Sequence, residues 1–232
     1  MSVEREDLAP WLRPTDIIDA DHPDILAFVA RHAAGAADER ERAVRLYRAV
    51  RDGIRYDPYT PFHLPEHYRS SRVLRAGRGF CIPKASLLCA AARAAGIPAR
   101  PGFAHVRNHL ATRQLLEYLG SDLFAWHAFA ELHLGGKWVK ATPAFNRELC
   151  ERHGVPPLEF DGLEDSIFQP FNGEGRRYME YVAFLGSFDD IPVAEIVAGF
   201  RAAYGEERVR GWIESHERRQ APRPRFETEE VV

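Results

Sequence analysis

The sequence predicts an α+β protein in which one Ala/Leu-rich helix packs against an antiparallel sheet. Three observations carry that expectation. Pro83 to Ala95 has the strongest helix propensity in the chain, with Pro83 in the first turn, Gly96 just past the end and Pro98 forbidding continuation. Trp126 to Leu134 alternates in the period of a strand, and Gly135-Gly136 supplies a two-residue hairpin turn into a returning strand, Lys137 to about Thr142. The bulk composition is that of a globular domain: 232 residues, 45% apolar and 28% charged, enough to bury a core without a disulfide or metal staple.

The other elements follow in order. Residues 1–20 read as an irregular lead-in. Asp21-His22-Pro23-Asp24 opens a helix that Ile25, Phe28 and Val29 continue at helical spacing. A second helix runs from about Asp38 to Asp52 with Val44, Tyr47 and Val50 on one face, and Gly53 stops it. Ile54 to Pro58 is extended, and 57–70, rich in Pro, His and Tyr, is a loop. Beyond the central helix, 99–106 is a strand and 107–125 is polar, with Thr112 to Leu119 as a helix. Arg147 to His153 is a short helix, 155–176 a long surface loop and Tyr178 to Leu185 a strand. Pro192 to Tyr204 and Glu206 to Arg218 are helical, and the tail from Gln220 is expected to be mobile. The expected organisation is a helical lead-in over 1–36, a core over 37–190, and a C-terminal helical segment with its tail over 191–232, all in one compact domain.

Charge and cysteine usage exclude several classes. The net charge is −3 with both signs mixed, so nothing favours nucleic acid or an anionic membrane. Three cysteines do not make a disulfide framework. The first residues lack the apolar stretch of a signal peptide, and no run of about 18 apolar residues would span a bilayer, so a cytoplasmic location is expected, where a free thiol survives.

Cys81 stands where a glycine-containing loop meets the start of a helix. Unpaired N–H groups and the positive helix end there stabilise a thiolate and can receive an oxyanion. Gly79 lets the backbone pass close to a substrate, and Tyr56 could place a hydroxyl near the oxyanion, packing being its default role. A thiol nucleophile needs an imidazole beside it, and His127 opens the alternating strand on which Phe129, Glu131 and His133 share its face. Trp126 and Trp138 pack, one of them walling the cleft, and Arg100 is a structural ion-pair partner. Cys89 and Cys150 read as core residues. No closely spaced cysteine pair exists, and Pro65 between His63 and His67 disfavours a helical ligand pair, so neither metal nor cofactor is expected.

Gly79-Phe80-Cys81, a helix, then Gly96-Ile97-Pro98-Ala99-Arg100 resembles the transglutaminase-core pattern G-x-C … G-I-P-A-R. His127-Ala128-Phe129-Ala130-Glu131 followed by Gly136-Lys137-Trp138-Val139 resembles its H-A-W-x-E … G-x-W-V, and Ile54-Arg55-Tyr56 its I-x-Y lead-in. The matches lie in order over roughly residues 40–145. The resemblance implies a papain-related core, with Cys81 as nucleophile and His127 as its imidazole partner acting on a peptide or protein amide; the motif does not choose between hydrolysis and transamidation, and hydrolysis is the favoured outcome. It says nothing of oligomeric state.

The sequence departs from that pattern at one point. The family places an Asp shortly after W-V, where this chain has Thr142 in Trp138-Val139-Lys140-Ala141-Thr142-Pro143. Thr142 is therefore the first choice for the group that orients the imidazole and Asn146 the second, with Asp161 and Asp165 available if the 155–176 loop folds back. Papain-like enzymes use a neutral Asn in this role. The missing acid motivates an alternative, a non-catalytic binding or assembly module. A lesser one is acyl transfer of the arylamine acetyltransferase kind, whose R-G-G-x-C context is partly echoed by Arg78-Gly79-Phe80-Cys81.

Overall fold

The sheet that organises the molecule has four antiparallel strands in the order β5-β4-β3-β6: β3 Ala99–Asn108, β4 Leu123–Leu134, β5 Lys137–Ala141 and β6 Met179–Ser187. The computed structural model describes residues 7–109, 111–168, 179–218 and 226–229. Gly135 and Gly136 both have positive φ (57° and 85°), the backbone that a two-residue turn between β4 and β5 needs. Tyr178, residues 169–176 of the expected loop, and Gln220 with 221–225 of the expected tail lie outside the described residues.

Around the sheet lie α1 Pro23–His32, α2 Glu39–Gly53, α3 Ser70–Ala76, α4 Cys81–Ala94, α5 Arg113–Leu119, α6 Arg147–Arg152, α7 Val193–Tyr204 and α8 Glu206–Glu217. A parallel pair, β1 Arg55–Tyr56 with β2 Arg78–Gly79, brackets the loop and α3 that precede Cys81. Local chemistry explains the helix ends. Asp38 caps α2 by accepting from Glu41 N–H, and Thr112 caps α5 by accepting from Leu115 N–H at 3.1 Å. Gly96 (φ 79°) follows α4 while Ile97 N–H reaches back to the Ala92 carbonyl, closing its last turn.

Helix α4 is buried nearly all round, between the sheet and the layer formed by α1, α2 and α3. Leu87, Leu88, Ala91 and their neighbours meet Ala130, Leu132 and Val139 on one side and Leu46, Tyr47 and Val50 on the other. The Ala/Leu composition reflects this: small side chains let the helix sit close to partners on every side. The lead-in joins the same core through Ile18 and Ile25. The C-terminal helices join a second cluster through Ile196, Phe200, Val209 and Trp212, with Phe103, Ala128 and Phe129 of the sheet.

Three expectations are corrected. Helix α3 starts at Ser70, the last residue of the expected loop, and occupies a stretch given no element in the sequence; Ser70 and Ser71 are buried, and Gly77 (φ 63°) ends the helix. The segment after 155 is not only surface: Phe160 is buried on Tyr47, and Ser166 bridges to Ala141. The tail returns to the body as a 3-10 turn, Phe226–Thr228, with Phe226 buried, Glu227 paired with Arg55 at 3.2 Å, and Glu229 accepting from Thr112 at 2.6 Å and Tyr59 at 2.7 Å.

Candidate active site

Cys81 is the first residue of α4. Phe80 before it is extended and offers no side-chain cap, so the first-turn N–H groups are left to the sulfur and its surroundings. The β1–β2 pair fixes this entry: Asp57 N–H donates to the Gly79 carbonyl at 3.1 Å. A Cβ on Gly79 would come within 2.9 Å of Pro83 Cβ, so the glycine is required by the helix's own proline. One turn below, the buried amine of Lys84 donates to the carbonyls of Arg51 (2.8 Å) and Ile54, tying the start of α4 to the end of α2. Burial brings that amine down to about 7.

His127 pairs with Ala104 on β3. Just before it the register slips, so that Ala125 and Trp126 face the single residue His105. Trp126 takes the bulge in a left-handed conformation (φ 56°), strained for a bulky residue, and its N–H donates to His105 Nδ1 at 3.3 Å. The indole is received by α7, where a Cβ on Gly199 would fall inside the ring. Bulge and glycine together turn Trp126 into a wall and set His127 beside it.

Cys81, His127, Tyr56 and Trp126 line one cavity of about 60 Å³. Residues 46 apart in sequence thus meet in a single hollow, as a thiol–imidazole pair requires. The thiol is only partly exposed, and burial pushes it up to about 11; the N–H groups of Ala128, Ile82 and Cys81 itself pull the other way without overcoming it. Burial alone pushes His127 down to about 4, with no carboxylate among the described residues opposing it. Both shifts favour thiol and neutral imidazole at rest.

The place behind the imidazole is polar and uncharged. Since Ala130 pairs with Ala141, Thr142 continues onto the face that carries Phe129 and His127. The Tyr181 ring lies 6.2 Å from that of His127, and its hydroxyl turns toward Thr142. His127 Nε2, Thr142 Oγ1 and the Tyr181 hydroxyl are all buried with no hydrogen-bond partner among the described residues. Phe168 closes the pocket at 5.4 Å from the imidazole. The backbone of Thr142 is held by Tyr47, whose hydroxyl donates to its carbonyl at 3.1 Å.

The remaining expected residues lie farther from the chemistry. Asn146 begins α6, and its Oδ1 accepts from Tyr56 N–H at 3.1 Å, which places its amide on the backbone of the site rather than in the cavity lining. Asp161 and Asp165 do not serve the imidazole: Asp161 accepts from Leu163 and Glu164 N–H, and Asp165 binds Lys140 through both oxygens. Arg100 is a structural partner, 2.7 Å from Glu131 and stacked over Trp138 at 4.0 Å. Tyr181 and the α7 and α8 walls were not singled out in the sequence, because they sit in elements that carry no motif.

A family model described as the transglutaminase-like superfamily matches residues 27–143. Comparison with curated proteins finds no match. Among solved structures, one described as a candidate cysteine protease from Cytophaga hutchinsonii is similar, with a TM-score of 0.53 and 15% sequence identity over 82% of this chain and 50% of that one. At that identity the likeness speaks for the fold, and the chain spans about half the length of that neighbour. A family match over half the chain, on a helix-borne Cys81 and a strand-borne His127 that share one cavity, establishes that the chain belongs to the transglutaminase-like superfamily.

Proposed function

We propose that the protein is a thiol hydrolase of amide or peptide bonds that works through an acyl-enzyme on Cys81. The observation that supports this reading is the shared cavity, lined both by Cys81 at its helix start and by His127. His127 takes the thiol proton as sulfur bonds to the carbonyl carbon. The oxyanion is received by the N–H groups at the start of α4, with the Tyr56 hydroxyl as a further donor. The C–N bond then breaks as the imidazolium gives its proton to the leaving amine. Water attacks the thioester, His127 takes its proton, and the S–C bond breaks to return the thiol. Thr142, with Tyr181 beside it, occupies the orienting position without charge; Asn146 holds Tyr56, and Gly79 holds the entry to α4. A reducing cytosol suits such a thiol.

The test is a p-nitrophenyl acetate burst followed by intact mass. One acetyl group gained by the wild type and none by Cys81→Ala supports the reading; equal turnover by both ends it.

One observation favours a second reading, a non-catalytic module: the raised thiol stands with no acid behind its imidazole. That reading expects no acyl-enzyme with any activated ester.

A further inference from the structure

We propose that the cavity beside Cys81 is an acyl-binding subsite for a small apolar group, so that the preferred acyl donor carries a short aliphatic chain and no charge. This rests on the thiol-hydrolase reading and goes beyond it by naming the substrate's chemistry. The argument starts from the walls. Away from Cys81 and His127 the cavity is faced by Phe62, Tyr118, Phe124, Trp126, Phe200 and Trp212, and no charged side chain is among its described lining residues. Two polar wall groups are already partly engaged: the Tyr204 hydroxyl accepts from Ala125 N–H at 2.8 Å, and Thr60 Oγ1 donates to the Asp57 carbonyl at 3.2 Å. A ligand group entering from the sulfur therefore meets mostly ring faces and methyls. A carboxylate or ammonium there would lose its hydration and gain no opposite charge among the described lining residues.

Volume narrows the class further. An apolar cavity of about 150 Å³ holds benzene. This one is about 60 Å³, so it admits an aliphatic group of about two to four carbons and excludes a phenyl ring without wall movement. Phe200, Tyr204 and Trp212 come from α7 and α8, beyond residues 27–143, so part of the wall lies outside the matched family segment. The packing of Tyr118 on Trp212 (4.5 Å, stacked) and of Phe62 on Phe200 (5.4 Å) joins those helices to α5 and the 57–70 loop, making the walls one aromatic unit.

The experiment uses the full chain and p-nitrophenyl acetate, butyrate, octanoate and monosuccinate, reading the acylation burst. In parallel, quenching of tryptophan fluorescence by butyramide and by succinamate is read on Cys81→Ala. Acetate and butyrate are expected to acylate about ten-fold or more faster than octanoate and succinate, the discrimination a hydrophobic pocket gives, and butyramide alone is expected to quench. Phe200→Ala is expected to raise the octanoate-to-butyrate ratio about ten-fold, with Trp212→Leu as the second variant should the first not fold. Succinate acylating as fast as butyrate, or succinamate quenching as strongly as butyramide, overturns the subsite. Selective butyramide binding with no acylation by any ester keeps the subsite and removes the hydrolase; acylation without chain preference does the reverse.

Discussion

Acid should destabilise this protein through its buried His127 imidazole. Burial lowers His127 from 6.5 to about 4, while an unfolded chain binds that proton near 6.5. Between those values the unfolded state carries the extra proton, so stability is fully present above about pH 6.5 and falls as pH drops toward 4. A separation of about 2.5 units at about 1.36 kcal/mol each corresponds to about 3 kcal/mol, a large share of the stability of a typical domain. His67, also lowered to about 4 by burial, titrates in the same window, so the prediction concerns a difference and not a total. Urea unfolding of the wild type and of His127→Gln at several pH values from 7 to 4.5 isolates the contribution. The wild type should lose stability more steeply by about 3 kcal/mol over the full range, whatever the substitution costs at neutral pH. The companion measurement is Cys81 alkylation by iodoacetamide. With the thiol near 11, the rate should rise about ten-fold per pH unit from 7 to 9 with no plateau on the acid side. Equal pH slopes in the two proteins would mean an imidazole that burial does not shift, and an alkylation plateau below pH 7 would mean a thiolate at rest; either result would refute the reasoning.

Other perturbations test the parts around that pair. Tyr181→Phe removes a buried hydroxyl that turns toward Thr142, so stability should change by no more than about 1 kcal/mol; if the hydroxyl positions His127, kcat falls and its pH profile shifts, whereas a merely structural role leaves both unchanged. Thr142→Asp restores the family's acid beside the imidazole and should raise the His127 pKa by about 1–3 units, seen as faster Cys81 alkylation at pH 7; an unchanged rate would mean that the new carboxyl is held protonated. Gly199→Ala drives a methyl into the Trp126 indole and should cost about 1–3 kcal/mol in thermal or urea unfolding, with loss of the acylation burst. Deleting 226–232 removes Phe226 from Tyr56 and the Glu229 bonds to Thr112 and Tyr59; it should destabilise by more than about 2 kcal/mol and slow acylation through the loosened Tyr56.

How far the sequence led depended on whether a feature was local. Helix α4 was legible because its propensity, its proline and its terminal Gly96 all lie within one segment. The β4–β5 hairpin was legible because Gly135 and Gly136 encode the turn itself. Cys81 and His127 could be paired only through the order of motif fragments, since nothing local relates a helix start to a strand. Helix α3 was hidden because Ser70 and Ser71 are polar yet buried: the Ser70 hydroxyl bonds the 53-residue-distant Ile17 carbonyl and the Ser86 hydroxyl, and Ser71 N–H donates to Asp19. The return of Phe226 and Glu229 was hidden for a related reason: their partners are Tyr56, Tyr59 and Thr112, and composition alone marked that tail as solvated. Tyr181 reached the site through sheet order, β6 lying beside β3 rather than beside its sequence neighbours.

The substitution of a hydroxyl for an acid and the apolar cavity belong to one electrostatic design. A carboxylate at position 142 would be buried among Phe168, Tyr181 and the sheet, where an unpaired ion loses several kcal/mol of hydration. It would be compensated only while His127 is protonated, which a cavity walled by rings opposes. Thr142 and Tyr181 avoid that penalty but give up the charge that would stabilise an imidazolium. The resting pair is then neutral, and the ion pair forms only as the sulfur commits to a carbonyl. Such a site reacts slowly with bulk electrophiles and depends on its substrate to exclude water and fill the cavity. Under the proposed reading, discrimination and reactivity draw on the same contact, the fit of the acyl group against Trp126, Phe200 and Trp212.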